Sequence, residues 1–324
     1  MQNKIYIRAD GGNTIGLGHL IRSYALALML KDNFEITFVS LQIPNDIKDE
    51  INSNGFSSIT INYEDDFLKL LSPFDVVILD HYGLNSSYQK QIKKSGCKLV
   101  CIDDLHDKEF YADLIINHTP GITSDDYQAQ SYTQFALGLD FALLRPAFLE
   151  KAKINRKIEK TETLFICFGG SDFKNLTERT LRLALEFQSI NKIIIVTGSA
   201  FEFDKEIQIL TNNNPKTVWY SRISENKMLE LMELSDIAIV PSSGILLEVL
   251  SVGCKVISGM YIENQKYAFN AFTSQKIVIN AEMFSESSIR KAIFVALNSE
   301  NNFIKTIDGN QKTRILEKIK TIVG

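Results

Sequence analysis

The sequence predicts two doubly wound α/β domains facing a central cleft, and three observations predict it. Short apolar runs alternate with longer amphipathic stretches along all 324 residues. Several of the runs are unbroken, Val76-Val77-Ile78-Leu79 among them, as in parallel strands covered on both faces by crossover helices. A strand leading into a glycine turn occurs twice, at Ile5-Tyr6-Ile7-Arg8-Ala9-Asp10-Gly11-Gly12 and at Leu164-Phe165-Ile166-Cys167-Phe168-Gly169-Gly170-Ser171-Asp172. Two doubly wound sheets that each carry such a turn place their ligand crevices at the carboxyl ends of the strands.

Taken in order, the first half offers strands at Lys4–Ala9, Glu35–Ser40, Val76–Asp80, Lys98–Ile102 and Leu114–Asn117, with helices at His19–Leu30 and Ser86–Lys94. A polar stretch follows from Lys151 to Glu162, with seven charged residues among its twelve. It marks a boundary between domains 1–155 and 156–324. The second half offers strands at Thr163–Phe168, Lys192–Val196, Thr217–Tyr220, Ile237–Val240 and Lys255–Ser258. Its helices are Leu176–Phe187, Glu225–Leu234 and Ile245–Ser251, with Ser287–Leu297 and Gln311–Ile322 closing the chain. The last of these is expected to reach back toward the N-terminal domain. Strand–helix alternation at this spacing argues for α/β architecture and against a sandwich.

Composition narrows the function. The 35 basic and 39 acidic residues give a net charge of −4, so no broad positive field gathers nucleic acid. No apolar run approaches the roughly 18 residues that span a bilayer. A strand begins almost directly after the initiator, so no secretory leader is expected. The cysteines at 97, 101, 167 and 254 are scattered, and Cys101 sits inside an apolar run, so burial is expected for it rather than zinc or redox chemistry. These features point to a reduced, cytoplasmic protein. They leave the oligomeric state unread.

The first chemical cluster is Asp10 to Arg22, with Gly12, Gly16 and Gly18 between a strand and a helix. Glycine lets a ligand approach the backbone, and a helix N-terminus presents free amides to an anion. His19 falls in the first turn of that helix. A helix N-terminus disfavours an imidazolium, and a neutral imidazole beside an anion-binding turn can act as a base; a packing or capping histidine is the plainer alternative. Asp80-His81-Tyr82-Gly83 follows a buried strand, where α/β sites are built, although Asp80 could simply cap the next helix. Asp103-Asp104 follows another strand and suits metal or acid–base work, or a turn. With no Asp-x-Asp and no His-x-x-x-His, no metal or other cofactor is expected. His106 and His118 lack partner spacing and read as surface or loop residues.

The second half supplies Gly169 and Gly170 with Asn175, then Ser242, Ser243 and Gly244 at a strand-to-helix junction suited to a diphosphate. Glu248, one turn further, suits two ribose hydroxyls, or is a solvated helix residue. Asn264 and Gln265 close the set.

In this order the clusters resemble the UDP-2,4-diacetamido-2,4,6-trideoxy-β-L-altropyranose hydrolases of pseudaminic acid synthesis. The marks are Gly-x-Gly-His-x-x-Arg at Gly16–Arg22, Asp80-His81-Tyr82-Gly83, Asp103-Asp104, Ala142-Leu143-Leu144-Arg145, Gly169–Asp172 with Asn175, Ser242-Ser243 with Glu248, and Asn264-Gln265. The resemblance runs from Lys4 to about Phe272. It implies a Rossmann-like, GT-B-like pair of domains and metal-free hydrolysis of a UDP-sugar at the anomeric carbon. It implies His19 as the water-activating base, Tyr82 beside that water, Asn264 lining the site, and Asn175 and Glu248 on the nucleotide or sugar. A GT-B glycosyltransferase and a non-catalytic nucleotide-sugar binder are the alternatives. Glycine, serine and Gln265 contacts to the substrate or its nucleotide complete the expectation.

Overall fold

The computed structural model describes residues 4–12, 16–299 and 306–324, and within it the chain divides into two compact units. The first contains Met1–Pro146 and Asn310–Gly324, and the second Ala147–Gly309.

In the first unit the strands are β1 (Lys4–Ala9), β2 (Glu35–Ser40), β3 (Ser57–Thr60), β4 (Val76–Asp80), β5 (Lys98–Ile102), β6 (Glu109–Phe110), β7 (Leu114–Asn117), β8 (Gln128–Ala129) and β9 (Gln134–Leu137). Its helices are α1 (Gly18–Leu30), α2 (Asn45–Ser53), α3 (Glu64–Leu70) and α4 (Ser86–Lys94). Seven strands form one parallel sheet in the order β3-β2-β1-β4-β5-β7-β9. The winding reverses between β1 and β4, a switch point of the kind where open α/β sheets bind ligands. The central runs explain themselves, since Val76–Ile78 are fully buried and covered on both faces. β3 and β9 are absent from the sequence reading because they are polar or mixed edge strands with little apolar signal.

The second unit opens with α5 (Pro146–Ala152), which begins at the division itself. It continues through β10 (Thr163–Ile166), α6 (Leu176–Ala184), β11 (Lys192–Thr197), α7 (Asp204–Asn212), β12 (Thr217–Ser221), α8 (Glu225–Glu233) and β13 (Ile237–Pro241). α9 (Gly244–Val252), β14 (Lys255–Gly259), α10 (Lys266–Ser274), β15 (Ile279–Asn280) and α11 (Glu286–Asn298) complete it. Its parallel sheet runs β12-β11-β10-β13-β14-β15, with the switch between β10 and β13. β10 stops two residues short of the expected Phe168, because the chain there turns into Gly169, whose φ is +85°. A Cβ on Gly198 would lie 2.5 Å from the Gly170 backbone, so the end of β11 and this turn touch only because Gly198 lacks a side chain.

The charged stretch read as a boundary belongs by its contacts to the second unit: Lys151 pairs with Glu233, and Arg156 Nη2 lies 3.5 Å from Asp236 Oδ1. The division therefore falls about nine residues earlier than 155. α12 (Gln311–Val323) packs against α1 and β7 of the first unit, with Lys312 Nζ 2.9 Å from Asp32 Oδ2.

Candidate active site

β1 and β4 are paired so that Ala9 faces Asp80. The chain leaves β1 through Asp10, turns, and returns over the strand ends as α1. His19, in the first turn of that helix, therefore stands above Asp80, the last residue of β4. Its Nδ1 lies 2.6 Å from Asp80 Oδ1. Arg22, one turn on and so on the same helix face, grips the same carboxylate through Nε (2.8 Å) and Nη2 (2.6 Å). Ser23 Oγ donates to it as well, at 3.0 Å. Burial works against ionisation here, yet the Arg22 charge and the hydrogen bonds from Arg22 and His19 hold the Asp80 carboxyl far below the usual carboxylate range. An ionised Asp80 only accepts, so His19 carries its proton on Nδ1 and Nε2 is left as the acceptor. The 3.2 Å approach of Arg22 Nη2 to Nδ1 is then two donors converging on one oxygen. Asp80 thus acts on His19; α4 takes its cap from Asn85 instead.

Arg22 reaches further, its Nη1 lying 2.6 Å from Asp104 Oδ2, an oxygen that also accepts from Tyr82 Oη at 2.9 Å. The Tyr82 ring meets His19 edge-on, centroids 4.4 Å apart. Burial and the Asp104 charge push the Tyr82 phenol above its ordinary value, so it stays protonated, donates to Asp104, and keeps lone pairs free to accept. The carboxylate pair at the end of β5 divides its work. Asp103 accepts from the His106 amide and from Tyr127 Oη and shapes the loop, while Asp104 joins the site.

A second network lies beside the first. Buried Arg8 donates to Asp10 (2.8 Å) and Glu64 (2.5 Å). Asp10 accepts the Leu41 and Gln42 amides and faces His81 Nε2 at 3.4 Å. The His81 ring is stacked on His19 with centroids 6.4 Å apart. In the glycine turn, Gly12 and Gly16 bond each other's carbonyls at 3.1 and 2.8 Å, and Gly16 takes φ +81°. Their amides are engaged, so the anion-seeking donors of this segment are those of the uncapped α1 start at Gly18 and His19. Asn13, Thr14 and Ile15 of the same cluster lie outside the described residues. His118 is a loop residue, as read, but half-buried: it follows β7 with Nδ1 buried, within electrostatic reach of Arg22, Asp104 and Asp80. Burial and Arg22 push it down to about 4. His106 is in a loop but half-buried, its ring edge-on to Tyr127.

In the second unit, Asp172 accepts the Leu176 and Thr177 amides at 2.9 and 2.7 Å. It thereby closes the N-terminus of α6 beside Gly169 and Gly170. α9 differs: Ser243 is its N-cap but caps nothing, and open space surrounds Gly244. An uncapped helix start at a strand-to-helix turn is the better diphosphate seat. Glu248, one turn along, is buried and near enough to Cys167 to help burial push that thiol up to about 12. It is therefore no solvated surface residue. Ser242 is turned inward onto Ser258 Oγ at 2.9 Å. Asn175, in left-handed backbone (φ +51°), donates from Nδ2 to Glu178 at 2.5 Å. Gln265 Oε1 holds the Tyr261 amide at 2.9 Å, fixing the turn on which Asn264 is exposed. Among the described residues, no group of three or more His, Cys, Asp or Glu is placed to hold a metal ion, and no helix is long and apolar enough to cross a membrane.

No protein-family model matches the chain. The UDP-2,4-diacetamido-2,4,6-trideoxy-β-L-altropyranose hydrolase of Campylobacter jejuni is 30% identical over 270 residues, covering 81% of this chain and 93% of that protein. The chain belongs to this hydrolase family. The spore coat polysaccharide biosynthesis protein SpsG of Bacillus subtilis is 27% identical, covering 83% of the chain and 80% of its own length. Among solved structures, MurG of Acinetobacter baumannii matches with a TM-score of 0.64 at 10% identity, over 99% of this chain and all of its own. The UDP-GlcNAc 2-epimerase of Methanocaldococcus jannaschii matches with 0.61 at 12%, over 99% and 100%. At such identities the match is one of fold, the GT-B type.

Within this hydrolase family member, the structure brings His19 and Tyr82 together and places Asn264, Glu248 and the serines in the second unit. Sequence reading left Arg22 and His118 without a role in the site. Both carried a signal. Arg22 lies three residues past His19, and His118 follows a buried strand as Asp103 does.

Proposed function

We propose that the protein hydrolyses a UDP-linked 2,4-diacetamido-2,4,6-trideoxy sugar at its anomeric carbon, releasing UDP and the free sugar with inversion. The observation that carries the reading is the His19–Asp80 pair, which leaves Nε2 as a proton acceptor. Family membership supplies the substrate class.

His19 Nε2 takes a proton from water, and the Asp80 carboxylate on Nδ1 stabilises the imidazolium that forms. Tyr82 Oη, committed as donor to Asp104, accepts the water's other hydrogen and so aims its oxygen. That oxygen bonds to the anomeric carbon as the bond from this carbon to the diphosphate oxygen breaks, its electron pair leaving with UDP. A nucleoside diphosphate is a stable leaving group, so no strong acid is required. The α9 amides at Gly244 favour its charge, and Glu248 accepts from the ribose hydroxyls. His19 then returns its proton to solvent. Asn264 contacts the sugar. The free sugar enters pseudaminic acid or related nonulosonic acid synthesis in the cytoplasm.

Incubation with the UDP-sugar in oxygen-18 water, without acceptor, tests the reading. The label is expected in the sugar, with inverted configuration. Label in UDP would place the attack at phosphorus and overturn the mechanism, and sugar release that depended on an added acceptor would indicate a glycosyltransferase.

A further inference from the structure

β5 and β7 are paired so that Ile102 faces Ile116, and Asp103 N donates to Ile116 O at 3.0 Å. Two residues beyond that pair, Asp104 and His118 stand at matching positions past the strand ends. Asp104 spends Oδ2 on Arg22 and Tyr82. Its Oδ1 is buried with no partner among the described residues, and so is His118 Nδ1. Leaving two such atoms unmet is costly, and unmet buried groups at a site mark places where something else binds.

We propose that Asp104 and His118 together read one acetamido group of the sugar, Asp104 Oδ1 accepting its amide N–H and a His118 ring N–H donating to its carbonyl oxygen. The inference rests on the hydrolase reading for the substrate class. A carboxylate oxygen only accepts. His118, kept neutral by burial and by Arg22, always has one N–H to donate. The pair therefore complements a group that holds one donor and one acceptor. Neighbouring parallel strands lie about 4.8 Å apart, so the two bonds suit a group whose donor and acceptor are separate atoms, as in a secondary amide. The terminal torsion of His118 is broad, and rotation about it turns Nδ1 toward a ligand, while Arg22 and Tyr82 hold the Asp104 carboxylate in place.

The test compares kcat/KM for the diacetamido UDP-sugar and for its analogues bearing a free amine at one position, in wild type, His118→Phe and His118→Gln, with folding checked by thermal melting. Wild type is expected to favour the diacetamido substrate over one analogue. His118→Phe should shrink that preference by about 10- to 100-fold, the effect of leaving a polar partner unpaired, and His118→Gln should recover part of it. An unchanged preference in His118→Phe, or an equal loss on every substrate, would overturn the proposal. Hydrolysis of none of them by wild type would instead remove the hydrolase reading. Calorimetry with the same UDP-sugars would then decide the His118 question, since an undiminished affinity difference in His118→Phe would refute it.

Discussion

The tautomer of His19 is set by one carboxylate. Asp80 is buried, shared by three side chains, and ionised, so it can do nothing but accept. Asp80→Asn would let the amide donate to Nδ1 and turn the ring to its other tautomer. Turnover should fall by at least about 100-fold, as it should in His19→Ala, the lower end expected for loss of a positioned base. Steady-state assays on variants with wild-type melting temperatures check both. The pH dependence of stability separates the buried groups. His118 stays unprotonated in the fold down to about pH 4, while in the unfolded chain it binds a proton below about 6.5. The unfolded state thus holds more protons in that window, and stability should fall as pH drops from about 6.5 to 4, by up to roughly 3 kcal/mol. His118→Phe should flatten this part of the profile. Asp80 and Asp10 are depressed instead, so their contribution is full above about pH 4 and is lost only below it. Urea titrations at pH 7.5, 5 and 3.5 distinguish the two windows.

Two helix starts in the second unit have opposite fates. α6 is closed by Asp172, whose carboxylate takes two amides, whereas α9 begins uncapped at Ser243–Gly244. Asp172→Ala should destabilise the fold by about 1–2 kcal/mol, the usual cost of losing a side chain that satisfies the first amides of a helix. Asp172→Asn should cost less, since its amide oxygen still accepts and Asn tolerates the φ of +41° found there. Chemical denaturation of both variants measures the difference. Gly169–Gly170 and Gly244 each stand between a strand and a helix, yet only contacts distinguish an occupied helix terminus from an open one.

For the molecule as a whole, the reading divides labour between the two units, with water activation in the first and nucleotide binding in the second. Glu248→Ala should weaken UDP binding by at least about tenfold, because a carboxylate–hydroxyl hydrogen bond is worth roughly 1.5–3 kcal/mol. His19→Ala should leave UDP affinity near wild type. Calorimetry with UDP measures both, and a large loss in His19→Ala would contradict the division.

The sequence by itself determined the two doubly wound sheets, because unbroken apolar runs such as Val76–Leu79 and Ile193–Val196 are stable only when buried on both faces. It also marked His19, Tyr82 and Glu248, each a polar residue just past a buried strand or a glycine turn. The edge strands β3 and β9 escaped because half-exposed edges need no apolar pattern. Tertiary structure alone decided which residues act on one another. Asp80 became the partner of His19, 61 residues away in sequence, Asp103 and Asp104 took different tasks, and His118 was drawn within electrostatic reach of Arg22. These outcomes follow from the parallel register of β1, β4, β5 and β7, which brings four strand ends together. Register is set by packing across the whole sheet, and no local spacing in the chain records it.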